Sequence, residues 1–368
     1  MAKKVENEQR EIKNLEFSIT EMRTREIPII SETKSAGKNY VNWGEDNRFP
    51  NYLWSMYLQS AILQSIINGT VDFVVGNGVI ANELPEIVNS DGETLEEVIS
   101  KIVLDYMIYG GYAFNIIRNF DGDIAEIYWL NVGDCRLNED ETKLFYCDKW
   151  NKYGSKPVEY PLFDPRKKQK SSVYYFKGHI SRGIYPIPTY NGALAAIETS
   201  TEIGKFHLNN ILNNLTTSAI ISFNNGIPTD EEKKQLERKM KEKFTGADNA
   251  GRFMLVFNND RDHGVEIARL SEDNMDQKFQ TLSQSTKEEI FTAFRAQPML
   301  FGMLPNNTAF NKNEFLEAFE LYNKCTVTPI QRDIKKAFRV VYGRDVIDFK
   351  TFSLADEEDI NHIVVENK

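Results

Sequence analysis

Apolar residues recur along this chain at two spacings, and each spacing predicts its own elements. Between Asn51 and Val75, Leu53, Met56, Tyr57, Ala61, Ile62, Ser65 and Ile66 fall near one side of a helix. The pattern predicts a single helix there, closed by the turn chemistry of Gly76-Asn77-Gly78. A second amphipathic helix is predicted over Leu95 to Tyr109, with Leu95, Val98, Ile99, Ile102, Val103, Tyr106 and Met107 inward. Thr94 is its N-cap, and Glu97 completes a capping box. After Gly110-Gly111 the period changes to two. Tyr112–Arg118 and Ile124–Leu130 flank Asp121-Gly122, a strong hairpin signal. A second hairpin is predicted from Cys135–Asn138 and Lys143–Asp148 around Asn138-Glu139-Asp140-Glu141. A loop over Tyr160–Lys170 leads to a short strand at Val173–Lys177.

Pro186 and Pro188 hold residues 184–190 extended and mark a boundary. Beyond them an Ala-rich helix is predicted from Asn191, its N-cap, to about Leu215, ~37 Å long. Ser218–Phe223 reads as a strand. A helix capped at Thr229 runs through Phe244, Gly246–Gly251 is a loop, and Arg252–Phe257 and Val265–Leu270 are strands. A polar helix follows from Ser271 to Arg295, then a short exposed apolar loop, Gln297-Pro298-Met299-Leu300-Phe301-Gly302-Met303-Leu304-Pro305, and the turn-forming run Asn306–Asn311. Phe315, Phe319, Tyr322, Ile330, Ile334 and Phe338 then share one helical face across Pro329. A proline removes a backbone donor and crowds the preceding turn, so this helix is predicted to kink near Pro329. Asp345–Phe349 reads as a last strand.

Three segments together resemble the portal protein of tailed double-stranded DNA phages. They are Glu289–Phe294 running into Gln297-Pro298-Met299-Leu300-Phe301-Gly302, then Asn313–Phe319, then Thr328-Pro329-Ile330. Gln297 stands where valine is more usual in that family. A second matching part is the strand, charged helix, Gly-Ala-Asp-Asn-Ala-Gly and strand of residues 218–257. The resemblance runs from about Tyr109 onward. It implies an α+β portal fold with an α/β wing, a helical stem, a small α/β clip and a long kinked helix carrying a tunnel loop. On this chain those parts are an N-terminal arm (1–40), the first part of the wing (41–189), a stem helix (190–217), the clip (218–271), a second stem helix (272–296), the tunnel loop (297–311), the kinked wing helix (312–342) and a short tail (343–368). Many portals continue into a larger helical crown, and its near absence is a departure.

The resemblance further implies a homododecameric ring at one capsid vertex, a channel for double-stranded DNA. Its partners would be the major capsid protein, the terminase large subunit and a head–tail adaptor. Met303, Asn306, Asn307 and Lys312 of the loop, with Lys278 and Lys287 of the second stem helix, are the expected channel-lining residues. Lys233, Lys234, Arg238 and Lys241 are the expected docking residues of the clip.

Composition narrows the picture. The 368 residues carry a net charge of −10, with 41% hydrophobic and 27% charged residues, ordinary for a globular protein. Tight binders of nucleic acid are usually basic, so a repressor is disfavoured. A channel through which DNA slides is not, because a strongly basic lumen would hold the strand. No apolar run is long enough to predict a membrane span, and the first eight residues lack the apolar core of a secretory signal. Cys135, Cys147 and Cys325 have no metal-type spacing and are expected to be free thiols in a reducing cytoplasm.

Candidate chemistry is sparse. His179, His207, His263 and His362 have no Cys, Glu or His at ligand spacing. No nucleophile elbow or kinase-like set appears, and Gly76-Asn77-Gly78 lacks the Lys-Ser/Thr of a phosphate loop. No catalytic residue, metal or cofactor is therefore assigned. Two other classes stay open at this level. One is a metal-dependent DNA-processing enzyme using Asp121 and Asp123, which the hairpin turn otherwise accounts for. The other is a different ring-forming virion protein such as an adaptor.

Overall fold

The computed structural model describes residues 31–34, 37–150, 152–213, 219–223, 253–257, 275–303 and 312–350, with single positions at 231, 234 and 235. Two short strands, β1 (Glu32–Lys34) and β2 (Val41–Trp43), pair antiparallel. Helices α1 (Phe49–Gln59) and α2 (Ala61–Val75) follow, and then β3 (Val79–Ala81). Where one helix was expected over 51–75, the chain turns by 96° at Ser60. The reason is local. Ser60 is extended (φ −101°, ψ 108°), and its hydroxyl caps α2 by accepting from the Leu63 amide at 3.3 Å. Helical spacing on both sides hides such a corner, because the apolar face continues through it. Both helices contribute to the core, with Leu53, Met56, Leu63, Ile66 and Ile67 buried.

Helix α3 (Leu95–Tyr109) has the expected capping box between Thr94 and Glu97, and ends at Gly110 in the left-handed conformation. It leads into a three-stranded antiparallel sheet ordered β5–β4–β9, from β4 (Gly111–Arg118), β5 (Ile124–Leu130) and β9 (Ser171–Lys177). The β4–β5 turn is longer than a two-residue hairpin. Gly122 donates to the Asn119 carbonyl, and Asn119 to the Asp123 carbonyl, with Gly122 at φ 87°. A bulge beside Ile117 and Arg118 takes up the extra residue. A second sheet, β6 (Cys135–Leu137), β7 (Lys143–Tyr146) and β8 (Val158–Pro161), is antiparallel throughout.

Cross-strand aromatic pairs fix one face of the first sheet. Tyr112 lies opposite Phe176 with ring centroids 4.8 Å apart, and Phe114 opposite Tyr174 at 5.1 Å. Helix α7 (Thr328–Tyr342) covers this face by stacking Phe338 on Phe114 at 5.3 Å. On the same face, Tyr106 of α3 meets the Tyr112 and Phe176 rings. Tyr112, Phe114 and Phe338, fully buried, each contribute about 2 kcal/mol. The last strand, β12 (Ile347–Phe349), returns to pair with β3.

Three buried polar groups tie these layers together. Asp105 of α3 accepts the Trp129 indole N–H at 3.0 Å and the Val132 amide at 2.9 Å. Arg136, fully buried, donates to the Asn47, Gly133 and Cys135 carbonyls and to Asn47 Oδ1, between the rings of Trp43 and Trp150. Tyr185 stacks flat on Trp43 at 4.8 Å and donates to the Val41 carbonyl.

Helix α4 (Leu194–Asn213) starts later than expected. Asn191 does not cap it. A 3-10 turn over Asn191–Ala193 intervenes, and the buried Asn191 Oδ1 has no hydrogen-bond partner. Strands β10 (Ala219–Phe223) and β11 (Phe253–Phe257) form a parallel pair. Only Glu231, Lys234 and Gln235 of the helix expected between them are described, all helical and exposed. The strand expected at 265–270 lies outside the described residues. Helices α5 (Met275–Ala293) and α6 (Lys312–Tyr322) complete the element order. The protein is α+β, as the sequence indicates.

Candidate functional site

Helix α5 presents two contrasting sides at its C-terminal end. Thr286, Ile290, Phe291 and Phe294 are buried, while Gln284, Ser285, Glu288, Glu289 and Thr292 are exposed. The buried side meets Tyr190, whose ring stacks on Phe294 at 4.9 Å and whose hydroxyl donates to the Ile108 carbonyl at 2.7 Å. The helix closes with two bonds, Arg295 N–H to the Thr292 carbonyl (3.0 Å) and Ala296 N–H to the Phe291 carbonyl (2.9 Å). Such a closure needs a left-handed residue, usually glycine. Here it is Arg295, at φ 52°, a conformation that costs an L residue about 1 kcal/mol.

The segment that follows is not an exposed loop at its start. Pro298–Phe301 form a 3-10 turn ended by Gly302 at φ 80°. Its amides are used, Leu300 N–H to the Gln297 carbonyl (3.0 Å) and Met303 N–H to the Pro298 carbonyl (3.1 Å). Leu300, Phe301 and Met303 are partly buried against the core. Phe301 is the anchor. It meets Phe73 and Tyr322 edge-on, with centroids at 5.9 and 5.5 Å, and Phe291 at 6.3 Å. Its carbonyl accepts from the Ser65 hydroxyl at 3.3 Å. The ring reaches α2 because residue 69 is glycine: a Cβ there would lie 2.9 Å from it.

The returning helix is locked to the same place. Thr70 Oγ1 donates to the Ile66 carbonyl at 2.6 Å, so the Tyr322 hydroxyl 2.6 Å away donates to Thr70. Burial pushes the Tyr322 phenol up to about 12. Between α6 and α7 the chain makes a π-helical turn, Asn323–Val327, with Pro329 just inside α7. The kink expected at Pro329 thus takes the form of a widened turn ahead of it. Such a turn accommodates the proline's ring and missing donor without breaking the helix. A buried carboxylate on α7, Asp333, faces the exposed His179 at 3.4 Å.

The expected channel residues divide as follows. Met303 is half-buried and helps hold the loop root. Lys312 is exposed at the start of α6, and Lys287 is half-buried on α5. Lys278 lies within α5. Asn306 and Asn307 lie outside the described residues. Of the expected docking residues, Lys234 is exposed and helical, and Lys233, Arg238 and Lys241 lie outside the described residues. Asp121 and Asp123 sit in the hairpin turn, and among the described residues no group of three or more His, Cys, Asp or Glu side chains gathers into a metal site. Sequence reasoning missed Gly69, Thr70 and Arg295. The available signals were a glycine inside an apolar helix and an arginine where a helix stops.

Helices α5 and α6, linked through an anchored proline turn, stand on a mixed helix and sheet body. The sequence profile of the phage portal protein family matches residues 78–359, and the chain belongs to that family. An uncharacterized protein of Rickettsia bellii (strain RML369-C) is 23% identical over 283 residues, 76% of this chain and 69% of its own length. A solved chain from the neck of a native gene transfer agent particle, computed with C12 symmetry, superposes with a TM-score of 0.53 at 16% identity, covering 86% of this chain and 89% of its own. A chain from the virion of such a particle gives 0.51 at 17% identity, with 86% of both covered. At these identities the likeness is one of fold.

Proposed function

We propose that this protein is the portal subunit of a phage-like particle, twelve copies forming a ring that passes double-stranded DNA at one capsid vertex. The observation that carries the reading is the loop root. Phe301, seated on Gly69 and boxed by Phe73, Phe291 and Tyr322, ties the start of the loop to α2, α5 and the returning helix α6. That suits a loop whose task is contact with a moving strand. Family membership and the C12 neck relative support the ring.

On this reading 297–311 is the tunnel loop, with Met303 at its base and Asn306, Asn307 and Lys312 towards DNA. Residues 190–217 and 272–296 are the stem, which places Lys278 and Lys287 along the channel. Residues 218–271 are the clip, where Lys233, Lys234, Arg238 and Lys241 meet the terminase large subunit and later the head–tail adaptor. The major capsid protein surrounds the wing (41–189 with 312–342). The ring assembles in the host cytoplasm and stays in the virion. Hydrolysis belongs to the motor, and this chain works without catalytic residue, metal or cofactor.

Native mass spectrometry with negative-stain class averages of the purified protein tests the proposal. A ring of about twelve copies with a central hole is expected. A monomer that cleaves DNA when a divalent metal is added would sink it.

A further inference from the structure

Four residues other than glycine hold left-handed backbone conformations among the described residues: Asn47, Glu83, Glu141 and Arg295. In three of them the side chain has a partner. Asn47 accepts the Trp43 amide at 3.0 Å and the Arg136 guanidinium. Glu83 pairs with Arg344 at 2.6 Å, and Glu141 with Lys177 at 2.8 Å. Arg295 differs. Its guanidinium is exposed and makes no hydrogen bond or ion pair among the described residues. Its backbone is nevertheless tightly fixed by the helix closure and by its buried neighbours Phe294 and Ala296.

Glycine would serve this backbone better. A cation anywhere in the last turn would interact favourably with the helix carbonyls, so that effect does not call for one in the strained position. An unexplained outlier on a rigid element at the base of the loop points outward, to a ligand.

We propose that Arg295 contacts the phosphate backbone of double-stranded DNA. The inference rests on the portal reading. A guanidinium matches phosphate with two parallel hydrogen bonds and carries no base preference, as suits a channel that accepts any sequence. The exposed side of α5 leading to it bears Glu288 and Glu289, which repel DNA. Arg295 adds an exposed cation just past the C-terminal end of α5, beyond Lys278 and Lys287 of the same helix.

The test uses purified full-length rings and a fluorescent blunt-ended duplex, titrated at several salt concentrations. Arg295→Gly removes the cation and suits the backbone, Arg295→Asn is a second neutral variant that tolerates it, and Arg295→Lys keeps the charge. Both neutral variants are expected to form rings and to melt no lower than the parent. They should bind at least about five-fold more weakly, with a shallower salt dependence, while Arg295→Lys stays within about two-fold of the parent. Neutral variants that bind like the parent, or parent rings that bind no duplex at low salt, overturn the proposal. A parent chain that forms no ring removes the portal reading and this inference together, and native mass spectrometry tells that failure apart from the others.

Discussion

Phe301 lies so close to Gly69 that a methyl group on the glycine would come within 2.9 Å of two of its ring carbons. The contact joins the base of the loop to the middle of α2. It predicts that Gly69→Ala destabilises the parent, although alanine is favoured over glycine within a helix by ~1 kcal/mol. Phe301→Ala should cost about 2 kcal/mol, less than a fully buried phenylalanine because the ring is only half-buried. In the Phe301→Ala background, Gly69→Ala should become stabilising. Chemical denaturation of the two single variants and the double variant measures this coupling, and simple additivity would show that the two sites do not touch.

Arg136 supports a different prediction. Its guanidinium supplies donors to three backbone carbonyls and a side-chain oxygen. A lysine has the charge but not the planar fork. Arg136→Lys should therefore destabilise by about 3 kcal/mol, nearly as much as Arg136→Met, since both leave buried carbonyls unpaired. Thermal melting of the two variants checks this. A lysine variant close to the parent would mean that charge alone sustains the site.

Much of this architecture can be read from the chain. The α3 capping box, the two hairpins and the proline-interrupted helix depend on neighbours within a few residues, and that information is in the sequence. The corner at Ser60 was hidden because its two helices continue one apolar pattern. The Asn191 cap was misplaced because Tyr190 docks on Phe294, 104 positions away by number, and tertiary packing overrides a cap preference. The loop root was legible as residue types only. Proline, leucine, phenylalanine and glycine in a row suggest a turn, but nothing local says that Phe301 seats on residue 69. Arg295 needed the backbone angle itself to become visible.

Thiol chemistry separates the three cysteines. Cys135 and Cys147 are buried, and Cys325 is exposed in the π-helical turn. Burial pushes the Cys135 thiol up, and its Sγ donates to the Asn131 carbonyl at 3.3 Å. The thiolate is the reactive form, so brief alkylation of the native protein should add one adduct, at Cys325. Unfolding in denaturant should raise the count to three. Peptide mapping locates the adducts, and early modification of Cys135 would contradict its burial.

Asp105 gives a prediction in pH. Burial raises its carboxyl well above the usual range, while the Val132 amide and the Trp129 indole act in the opposite direction. Both of those bonds end on the same oxygen, Oδ2. A folded-state pKa above the unfolded one means that the native state holds the proton more tightly. The contribution to stability is then full below pH ~4, where both states are protonated, and is lost as pH rises through the folded pKa. Asparagine keeps one carbonyl oxygen for both donors and carries no charge. Asp105→Asn should therefore match the parent near pH 4 and be at least as stable at pH 7. Asp105→Ala leaves the indole and the amide unpaired and should lose about 2 kcal/mol or more at either pH. Denaturant midpoints at the two pH values decide the matter: an asparagine variant clearly weaker than the parent at pH 7 would show that the fold relies on the ionised carboxylate.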